Sequence, residues 1–479
     1  MNRRMILYMP LQILKLEALM MLLPMGVSFY YHEHSAWSFL YCAIGTLAFA
    51  FLGSAILHPA IKTIYAKEGF VIVALSWALV SAVGALPFVI SGEVPRYVDA
   101  LFETVSGFTT TGASILRDVE ALSHGLLFWR CFSNWLGGMG ILTFFIAIGN
   151  IADGNIHIMR AEMPGPIVGK FVPRAKDTAK ILYVIYIVFT VLEMILLLAG
   201  GMPAFEAITH SLATGGTGGF GVLNSGFADY SPYIQWVVTI FMLLFGINFN
   251  IYFLMLIRKF RAVVSSSELW AYLGIFAGAT AILCIDLRPV YESTSDLIRH
   301  SAFQVSSIMT TTGFATADFD KWPEMSKAVL LFLMMVGACA GSTGGGLKIS
   351  RLLILAKAIL REFKKMLHPR SVTVLRLEGK ALDESVVNNT LIYFVIYCVL
   401  IGVIFLVVCL DRFNLETAIS ATVSCFNNIG PAFNAAGPAK NYAGFSDLSK
   451  LTLSAAMLLG RLEIFPLLLA VFPVTWIKK

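Results

Sequence analysis

Two similar strings of small polar residues stand about two hundred positions apart in this chain: "TVSGFTTTGASI" at 104–115 and "QVSSIMTTTGFA" at 304–315. Each places three threonines and a glycine at the end of a short apolar run. Backbone carbonyls and threonine hydroxyls can replace the hydration shell of an ion without burying a fixed charge. Glycine adopts the positive φ that turns carbonyls towards an axis, and it leaves room for the ion. The pattern therefore predicts coordination of a dehydrated cation.

The chain contains four such strings, each an apolar stretch too short to span a membrane and closed by glycine and small polar residues. They lie at 100–114, 204–221 ("AFEAITHSLATGGTGGFG"), 301–316 and 418–433 ("AISATVSCFNNIGPAF"). No Asp or Glu stands at their glycine ends, which favours carbonyl selection of a monovalent ion over a carboxylate ring for calcium. Potassium is the natural candidate.

The composition predicts that these strings lie within a membrane protein. Of the 479 residues, 58% are hydrophobic and only 13% are charged, against roughly 25% charged in soluble domains, and the mean hydropathy is +0.78. Many apolar runs reach the roughly 20 residues that a helix needs to cross a bilayer. We predict ten crossings, at about 6–30, 37–57, 70–91, 124–149, 180–200, 232–257, 269–287, 326–347, 388–410 and 449–476.

The distribution of charge predicts the orientation of these crossings. With the N-terminus inside, about two-thirds of all Lys and Arg fall in cytoplasmic segments, in agreement with the positive-inside rule. Both termini are then cytoplasmic, and the net charge of +6 reflects topology and contact with lipid head groups, not nucleic acid. The seven cysteines show no CxxC pair, so neither structural disulfides nor a metal centre is expected.

The four strings divide the chain into repeats, each a helix, a re-entrant hairpin and a second helix. We predict two N-terminal helices (1–60), then repeat 1 (61–160), repeat 2 (161–265), repeat 3 with a broken second helix (266–380) and repeat 4 (381–479). Non-helical backbone is tolerated at membrane depth only where protein buries it or where it lines a water-filled path. Four such hairpins converging on one axis would enclose a pore.

The motifs "TTTGA", "TGGF", "TTTGF" and "NNIGP", together with the two extra helices, resemble the bacterial TrkH/TrkG potassium uptake subunits over the whole chain. The resemblance implies an all-α membrane fold like four fused potassium-channel subunits, with one filter glycine in each repeat. In repeat 2 the match favours Gly219 over Gly215, Gly216 or Gly218. The implied filter and K⁺-binding residues are Thr110, Thr111, Gly112, Thr217, Gly218, Gly219, Thr311, Thr312, Gly313, Asn428, Ile429 and Gly430.

A glycine-rich break, "GACAGSTGGGLK" at 337–348, interrupts the second helix of repeat 3. On residue types alone it is either a helix-end turn on the cytoplasmic side or an irregular loop within the membrane. The resemblance favours the second interpretation, a loop below the filter that obstructs the pore. The implied gate residues are Ala338, Gly341, Ser342, Thr343, Gly344, Gly345, Gly346 and Arg461.

Arg461 lies near the middle of the last predicted crossing, where an arginine costs at least about 2.5–3.5 kcal/mol on insertion scales. It should therefore face a cavity or a partner. A structural ion pair with Glu463 or Glu193 and a place on the pore are equally compatible with the sequence. The resemblance implies the pore, where Arg461 would act as an electrostatic barrier under the filter.

The resemblance also implies a bacterial inner-membrane protein, a homodimer, and control by a cytosolic TrkA-like ring that binds nucleotides. No organic cofactor and no enzymatic activity are expected. A K⁺/H⁺ or K⁺/Na⁺ symporter is the transport alternative. A membrane oxidoreductase is the alternative from another class, because "GTGGFG" at 216–221 matches GxGxxG, although the βαβ context that this motif requires is missing. Glu103 and Glu206 are either ordinary solvated caps or residues that orient the pore helices.

Overall fold

The computed structural model describes residues 2–57, 59, 64–140, 175–371 and 374–476, which are mostly helical. The longer helices are Arg3–Met20, Leu22–Tyr30, Ser35–Ile56, Ala66–Gly84, Tyr97–Phe108, His124–Gly138, Ala175–Ala199, Ala204–Gly216, Pro232–Gly246, Phe249–Leu256, Ser267–Asp286, Thr294–Met309, Glu324–Met335, Ile349–Leu367, Glu384–Val408, Leu415–Phe426 and Asp447–Arg461. Short helices cover Leu86–Ile90, Phe260–Val264, Phe465–Val471 and Pro473–Trp476. Strands Arg376–Leu377 and Lys380–Ala381 pair antiparallel as a small hairpin.

Within the described residues, six helical spans are long and apolar enough to cross a membrane, and the bent pair Pro232–Gly246 and Phe249–Leu256 makes a seventh when it is counted as one span. The six are Arg3–Tyr30, Ser35–Ile56, Lys67–Ile90, Ala179–Ala199, Ser267–Asp286 and Glu384–Asp411. Their positions agree with six of the ten predicted crossings. The protein is thus a predominantly helical, multi-pass membrane protein, as the predicted all-α class requires.

Four short helices carry the apolar parts of the repeated strings, and we call them hairpin helices 1 to 4. They are Tyr97–Phe108, Ala204–Gly216, Thr294–Met309 and Leu415–Phe426. At 12 to 16 residues and about 1.5 Å per residue, each is shorter than a hydrocarbon core of about 30 Å. Each ends at the small polar residues of its string, and the chain then returns as an irregular segment, which we call the return segment of that repeat.

The helix that follows each hairpin, here inner helices 1 to 4, stops after 12 to 15 residues. The inner helices are His124–Gly138, Pro232–Gly246, Glu324–Met335 and Asp447–Arg461. The sequence predicted a break only after the third. The structure also bends the chain by 88° after Gly246 and interrupts it at Glu463 and Ile464, both with positive φ. The predicted crossing at 124–149 continues beyond the described residues.

Local chemistry explains the two breaks that the sequence did not predict. After Gly246 the backbone becomes extended, and the side chain of Asn248 caps a new helix by accepting the amide of Asn250 at 3.0 Å. After Arg461 the new helix begins with Pro466 in its first turn, which lacks the amide that would continue the old one. The pattern of apolar residues runs through both breaks, and hydrophobicity alone does not reveal them.

Glycines allow the inner helices to press against the ends of the hairpin helices. A Cβ on Gly137 would collide with the carbonyl of Phe108, and one on Gly460 would collide with the carbonyl of Phe426. The N-terminal helices pack outside this core, against Ala66–Gly84 and inner helix 1. The indole of Trp129 on inner helix 1 donates to Gly84 O at 3.0 Å. The fold thereby brings the four hairpin ends together at the centre.

Candidate ion pathway

The four return segments share one backbone conformation. In each, a residue in the left-handed region (φ 52° to 59°) is followed two positions later by a glycine with φ between 70° and 99°. The pairs are Thr110 and Gly112, Thr217 and Gly219, Thr311 and Gly313, and Asn428 and Gly430. Because an L-residue is strained at such φ values, glycine is the residue suited to the second position.

These segments touch one another in a closed ring. A Cβ on Gly112 would meet Gly218 O, one on Gly219 would meet Thr312 O, and one on Gly313 would meet Ile429 O. The ring closes because a Cβ on Gly430 would lie 2.5 Å from Thr111 O. Each glycine therefore packs against the carbonyl that precedes the glycine of the next repeat. We call this arrangement the glycine ring.

The geometry of repeat 2 distinguishes Gly219 from its neighbouring glycines. Gly215 and Gly216 belong to hairpin helix 2, and a Cβ on Gly218 would meet the side chain of Asn134. Gly219 alone of these four has positive φ and faces the next repeat. It holds the geometric position of Gly112, Gly313 and Gly430, while its role in ion binding stays a prediction.

Threonine hydroxyls brace the ring in repeats 1 and 3. Thr109 Oγ1 donates to Val105 O at 2.6 Å and lies 2.8 Å from Thr111 Oγ1. Thr310 repeats this arrangement with Ser306 O at 2.7 Å and Thr312 Oγ1 at 2.8 Å. Since the first threonine has already donated its proton, the third must donate to it. The triple threonine thus ties each return segment to the end of its own hairpin helix.

A buried ion pair joins repeats 1 and 2 next to the glycine ring. Glu103, fully buried, lies 2.8 Å from Arg130. Arg130 also donates to Gly221 O at 3.2 Å and stacks 4.2 Å from the ring of Phe220, so it joins repeat 1 to repeat 2. Glu103 is therefore not a solvated cap. Sequence reasoning missed Arg130, because nothing in the local string marks it as the partner of Glu103.

The other repeats support their hairpins with different groups. Glu206 is only partly buried and accepts a hydrogen bond from the hydroxyl of Tyr230 at 2.5 Å. In repeat 4 the hydroxyl of Tyr442 donates to Gly430 O at 2.8 Å. Tyr442 was not predicted, because it lies beyond the string that it supports.

On the inner side of the ring, residues 337–348 form a loop that is closed on itself. The Gly337 amide donates to Leu347 O at 2.9 Å, and the Ile349 amide donates to Ala338 O at 3.2 Å. Both ends are also held by Glu268, whose Oε1 accepts the amides of Ala340 at 2.7 Å and Ser350 at 3.2 Å. We call this segment the central loop. It is almost entirely buried.

The central loop touches repeats 2, 3 and 4 beneath the ring. The Cys339 amide donates to Gly246 O at 3.1 Å, at the break after inner helix 2. The Gly345 amide donates to Thr311 Oγ1 at 2.6 Å, in the third return segment. A Cβ on Gly345 would also lie 2.6 Å from Asn427 O of repeat 4. The predicted loop and the predicted filter are therefore in direct contact.

Arg461 fastens the loop to repeat 1. Its guanidinium donates to Thr343 O at 2.8 Å, to Gly137 O at 2.6 Å and to Gly138 O at 2.5 Å. These last two carbonyls end inner helix 1, where the helix dipole favours a cation. Among the described residues Arg461 forms no ion pair with Glu463, which pairs with Arg351, or with Glu193.

A second buried cation, Lys348, lies in the same region. Its side chain is 2% exposed, and its ammonium donates to Gly344 O. The positive-inside rule predicts a cytoplasmic basic run from Lys348 to Lys380, but Lys348 itself is buried. The difference arises because charge patterning cannot distinguish the last residue of a buried loop from the first residue of a cytoplasmic helix.

The remaining motif has no cofactor geometry. "GTGGFG" at 216–221 covers the end of hairpin helix 2 and its return segment, and no strand precedes it within the described residues. The dinucleotide interpretation needs a strand, a tight turn and a helix.

Comparisons with known proteins agree with this architecture. The family model described as "TrkH: Cation transport protein" matches residues 42–276 and 290–474. The chain is 36% identical to the Trk system potassium uptake protein TrkH of Salmonella typhimurium strain LT2, over 95% of each chain. It is 31% identical to the Trk system potassium uptake protein TrkG of Escherichia coli K12, over 95% of this chain and 94% of that relative.

A solved structure resembles the fold over its whole length. The crystal structure of the potassium transporter TrkH from Vibrio parahaemolyticus has a TM-score of 0.89 and 31% identity, and the match covers 99% of this chain and 100% of that one.

Proposed function

This chain belongs to the TrkH family of cation transport proteins, and from that premise we propose that it takes up K⁺ through the glycine ring, which acts as a selectivity filter. The relatives are named as potassium uptake proteins, so K⁺ is the transported ion. The family is a transport family, which sets the oxidoreductase alternative aside. The filter residues of the proposal are those of the four return segments.

The observation that supports this proposal most strongly is the closure of the ring. Each of the four return segments has one residue in the left-handed conformation and, two positions later, a glycine with positive φ. The glycine of each segment packs against a backbone carbonyl of the next segment, and the fourth packs against the first. A cation that leaves water needs several oxygens at once, and equivalent backbone carbonyls from four sides can supply them without a buried charge. The ends of the hairpin helices add the negative poles of their dipoles.

We also propose that the central loop closes the ion pathway in this conformation. The loop lies directly under the ring and is held by Glu268, by Thr311 and, through Thr343, by Arg461. Arg461 adds a buried positive charge at this level, and the buried side chain of Lys348 lies beside it on the loop. A cation that has passed the filter would meet both a steric and an electrostatic barrier, so conduction requires displacement of the loop.

Control of that displacement is assigned to a partner. The relatives are named as parts of a Trk system, and we assign regulation to a cytosolic TrkA-like ring that binds nucleotides, beneath a homodimer of this chain. The helix Ile349–Leu367, which begins directly after the central loop, gives such a partner a mechanical connection to it. The proposed location is the bacterial inner membrane, with both termini in the cytoplasm.

The experiment that tests the filter is a current–voltage curve of purified protein in a planar bilayer under a K⁺ gradient. The variant is Gly313→Ser, which places a side chain against Ile429 O. Its control is Gly221→Ala, where the nearest atom to a Cβ is 3.7 Å away and φ is ordinary. We expect reversal near the K⁺ equilibrium potential, moved towards that of Na⁺ by Gly313→Ser only. Equal selectivity in all three proteins would contradict the proposal.

The same recording separates a channel from a symporter. The breaks after inner helices 2, 3 and 4 are the feature that favours a symporter, because broken helices near the midplane are typical of alternating-access sites. A reversal potential that moves with pH at fixed K⁺ would indicate coupling to protons. A reversal potential that follows K⁺ alone would indicate passive conduction.

A further inference from the structure

The outer side of the glycine ring opens into a cavity of about 190 Å³, which we call the vestibule. All four ring glycines line its floor, and residues that follow them in the chain form its wall. This is the side from which an incoming cation would reach the ring, since the central loop occupies the other side. The charge of the vestibule wall therefore acts on every ion before it reaches the filter.

The wall of this entrance is cationic. Its charged lining residues are Arg117, Arg130 and Lys440, and no carboxylate is among the described residues that line it. Arg130 is neutralised by its buried pair with Glu103. Arg117 is exposed, and Lys440 keeps 56% of its side chain exposed. Two positive charges thus remain at the mouth of a proposed cation pathway.

The nearby carboxylates lie outside the vestibule: Arg117 also lines an adjoining cavity whose wall holds Glu93, Asp99 and Asp118. Asp118 is bound to the side chain of Asn224 at 2.8 Å, a hydrogen bond that lowers the pKa of Asp118. Asp320 accepts the Asn434 amide at 2.9 Å and lies 4.0 Å from Lys440. Both carboxylates belong to the rim and neither lines the cavity. The Lys440 to Asp320 distance is at the limit of an ion pair, and only the Lys440 side of the pair is exposed, since Asp320 keeps 16% of its side chain exposed.

A positive vestibule does not affect all cations equally. The local concentration of an ion depends exponentially on its charge multiplied by the potential, and a narrow cleft lined by one sign focuses that potential. A potential that halves the local K⁺ concentration therefore reduces a divalent cation about four-fold. The cost to K⁺ entry is modest, and the protection against divalent ions that would compete for the filter oxygens is larger.

We propose that Arg117 and Lys440 form a cationic collar in the outer vestibule that excludes divalent cations from the glycine ring more strongly than K⁺. The proposal rests on the assignment of the ring as a K⁺ filter. It adds a determinant of ion discrimination that lies outside the filter and acts through charge, before any ion is dehydrated.

The first test measures the vestibule potential without using transport. Ala439 is exposed and lines the vestibule, so Ala439→Cys provides a thiol there. Its rates of modification by a singly negative and a singly positive methanethiosulfonate reagent are compared, with the unsubstituted chain as the background. We expect the negative reagent to be favoured, and the ratio to fall about four-fold in Arg117→Gln/Lys440→Gln at low salt. A ratio that does not change with the collar would overturn the proposal even if the protein conducts K⁺.

The second test measures K⁺ current and its inhibition by external Ba²⁺. At about 10 mM KCl, where the Debye length is about 30 Å, we expect the double variant to conduct about two-fold more than the parent. Inhibition by Ba²⁺ should strengthen by a larger factor than the current rises. At about 1 M KCl, where the Debye length is about 3 Å, the two proteins should converge.

Matched variants separate the collar from a general change in surface charge. Arg288 and Lys321 are exposed, belong to the connection between the predicted crossings 269–287 and 326–347, which the predicted topology puts outside, and do not line the vestibule. Arg288→Gln/Lys321→Gln should leave both measurements unchanged, and Arg117→Lys/Lys440→Arg should behave like the parent. Equal effects of the control pair would overturn the proposal. Absence of K⁺ current in the parent would instead contradict the proposed function, while the thiol ratio would still decide the collar.

Discussion

The glycine ring and the central loop are adjacent but are built in opposite ways. The ring repeats one backbone motif four times, and each repeat packs against the next through the same pair of atoms. Within the described residues the loop has no second copy, and its partners differ on every side: Glu268, Thr311 and Arg461. A site that coordinates an ion on an axis benefits from equivalence. A barrier needs only one element that can move, and a single repeat can supply it.

This difference predicts that substitutions in the ring act alike and that substitutions around the loop do not. Each ring glycine should have the same effect, whichever repeat it comes from. Each loop contact should have its own effect, set by the number and charge of its hydrogen bonds.

The largest effect is expected from the ring glycines. Gly112→Ala, Gly219→Ala, Gly313→Ala and Gly430→Ala each put a Cβ against a carbonyl of the next repeat, at a φ that costs an L-residue about 1–2 kcal/mol. We expect each to reduce K⁺ flux in reconstituted vesicles by about ten-fold or more, with a higher Na⁺ to K⁺ ratio. Gly221→Ala is the control.

A clear asymmetry among these four variants would break the comparison. If Gly219→Ala were tolerated and Gly218→Ala were not, the register of repeat 2 would be one residue different from the geometry described above. If only one repeat responded, the ring would not act as a single coordination site.

The sequence predicted the ring far better than its surroundings, and the reason is repetition. The strings "TTTGA" and "TTTGF" could be aligned with each other, so equivalent residues of two repeats were identified within one sequence. Arg130, Tyr442 and Lys348 had no such counterpart, and their roles depend on contacts between segments far apart in the chain. The breaks after Gly246 and Arg461 were missed because apolar residues continue through them, and only the capping contacts of the folded chain interrupt the helices.

A smaller effect, and an opposite one, is expected at Arg461. Arg461→Ala removes hydrogen bonds to three carbonyls and the charge beneath the ring. Hydrogen bonds to a charged group contribute about 1.5–3 kcal/mol each, but the loop keeps its other contacts, so we expect a rise in K⁺ flux of about ten-fold. The K⁺ flux of Arg461→Lys should lie between that of the parent and that of Arg461→Ala, because lysine keeps the positive charge but loses the branched geometry of the guanidinium. Unchanged flux together with an unchanged unfolding midpoint would remove the barrier hypothesis.

Glu268 should have an intermediate effect because it restrains the loop without lying beneath the ring. Glu268→Ala removes the acceptor for the amides of Ala340 and Ser350, at the two ends of the loop. We expect K⁺ flux to rise by about three-fold, because the loop loses two of its hydrogen bonds and keeps the rest. Glu268→Gln keeps an acceptor oxygen and should remain close to the parent. A flux loss in Glu268→Ala would show that this contact holds the path open.

The smallest effect is expected from the threonine brace, which the ring possesses only in repeats 1 and 3. Thr310→Val preserves shape and removes the hydrogen bonds of the hydroxyl to Ser306 O and Thr312 Oγ1. Because a buried partner is left without its donor or acceptor, we expect the free energy of unfolding to fall by about 1–3 kcal/mol. This loss should appear as a lower unfolding midpoint in detergent. The K⁺ flux should be nearly unchanged. Thr452→Val is the control, because its hydroxyl donates to Leu448 O at 2.8 Å on a partly exposed helix. If Thr310→Val abolished selectivity while the midpoint stayed the same, its hydroxyl would belong to the ion site and not to the brace, and the ring would be less uniform than its backbone.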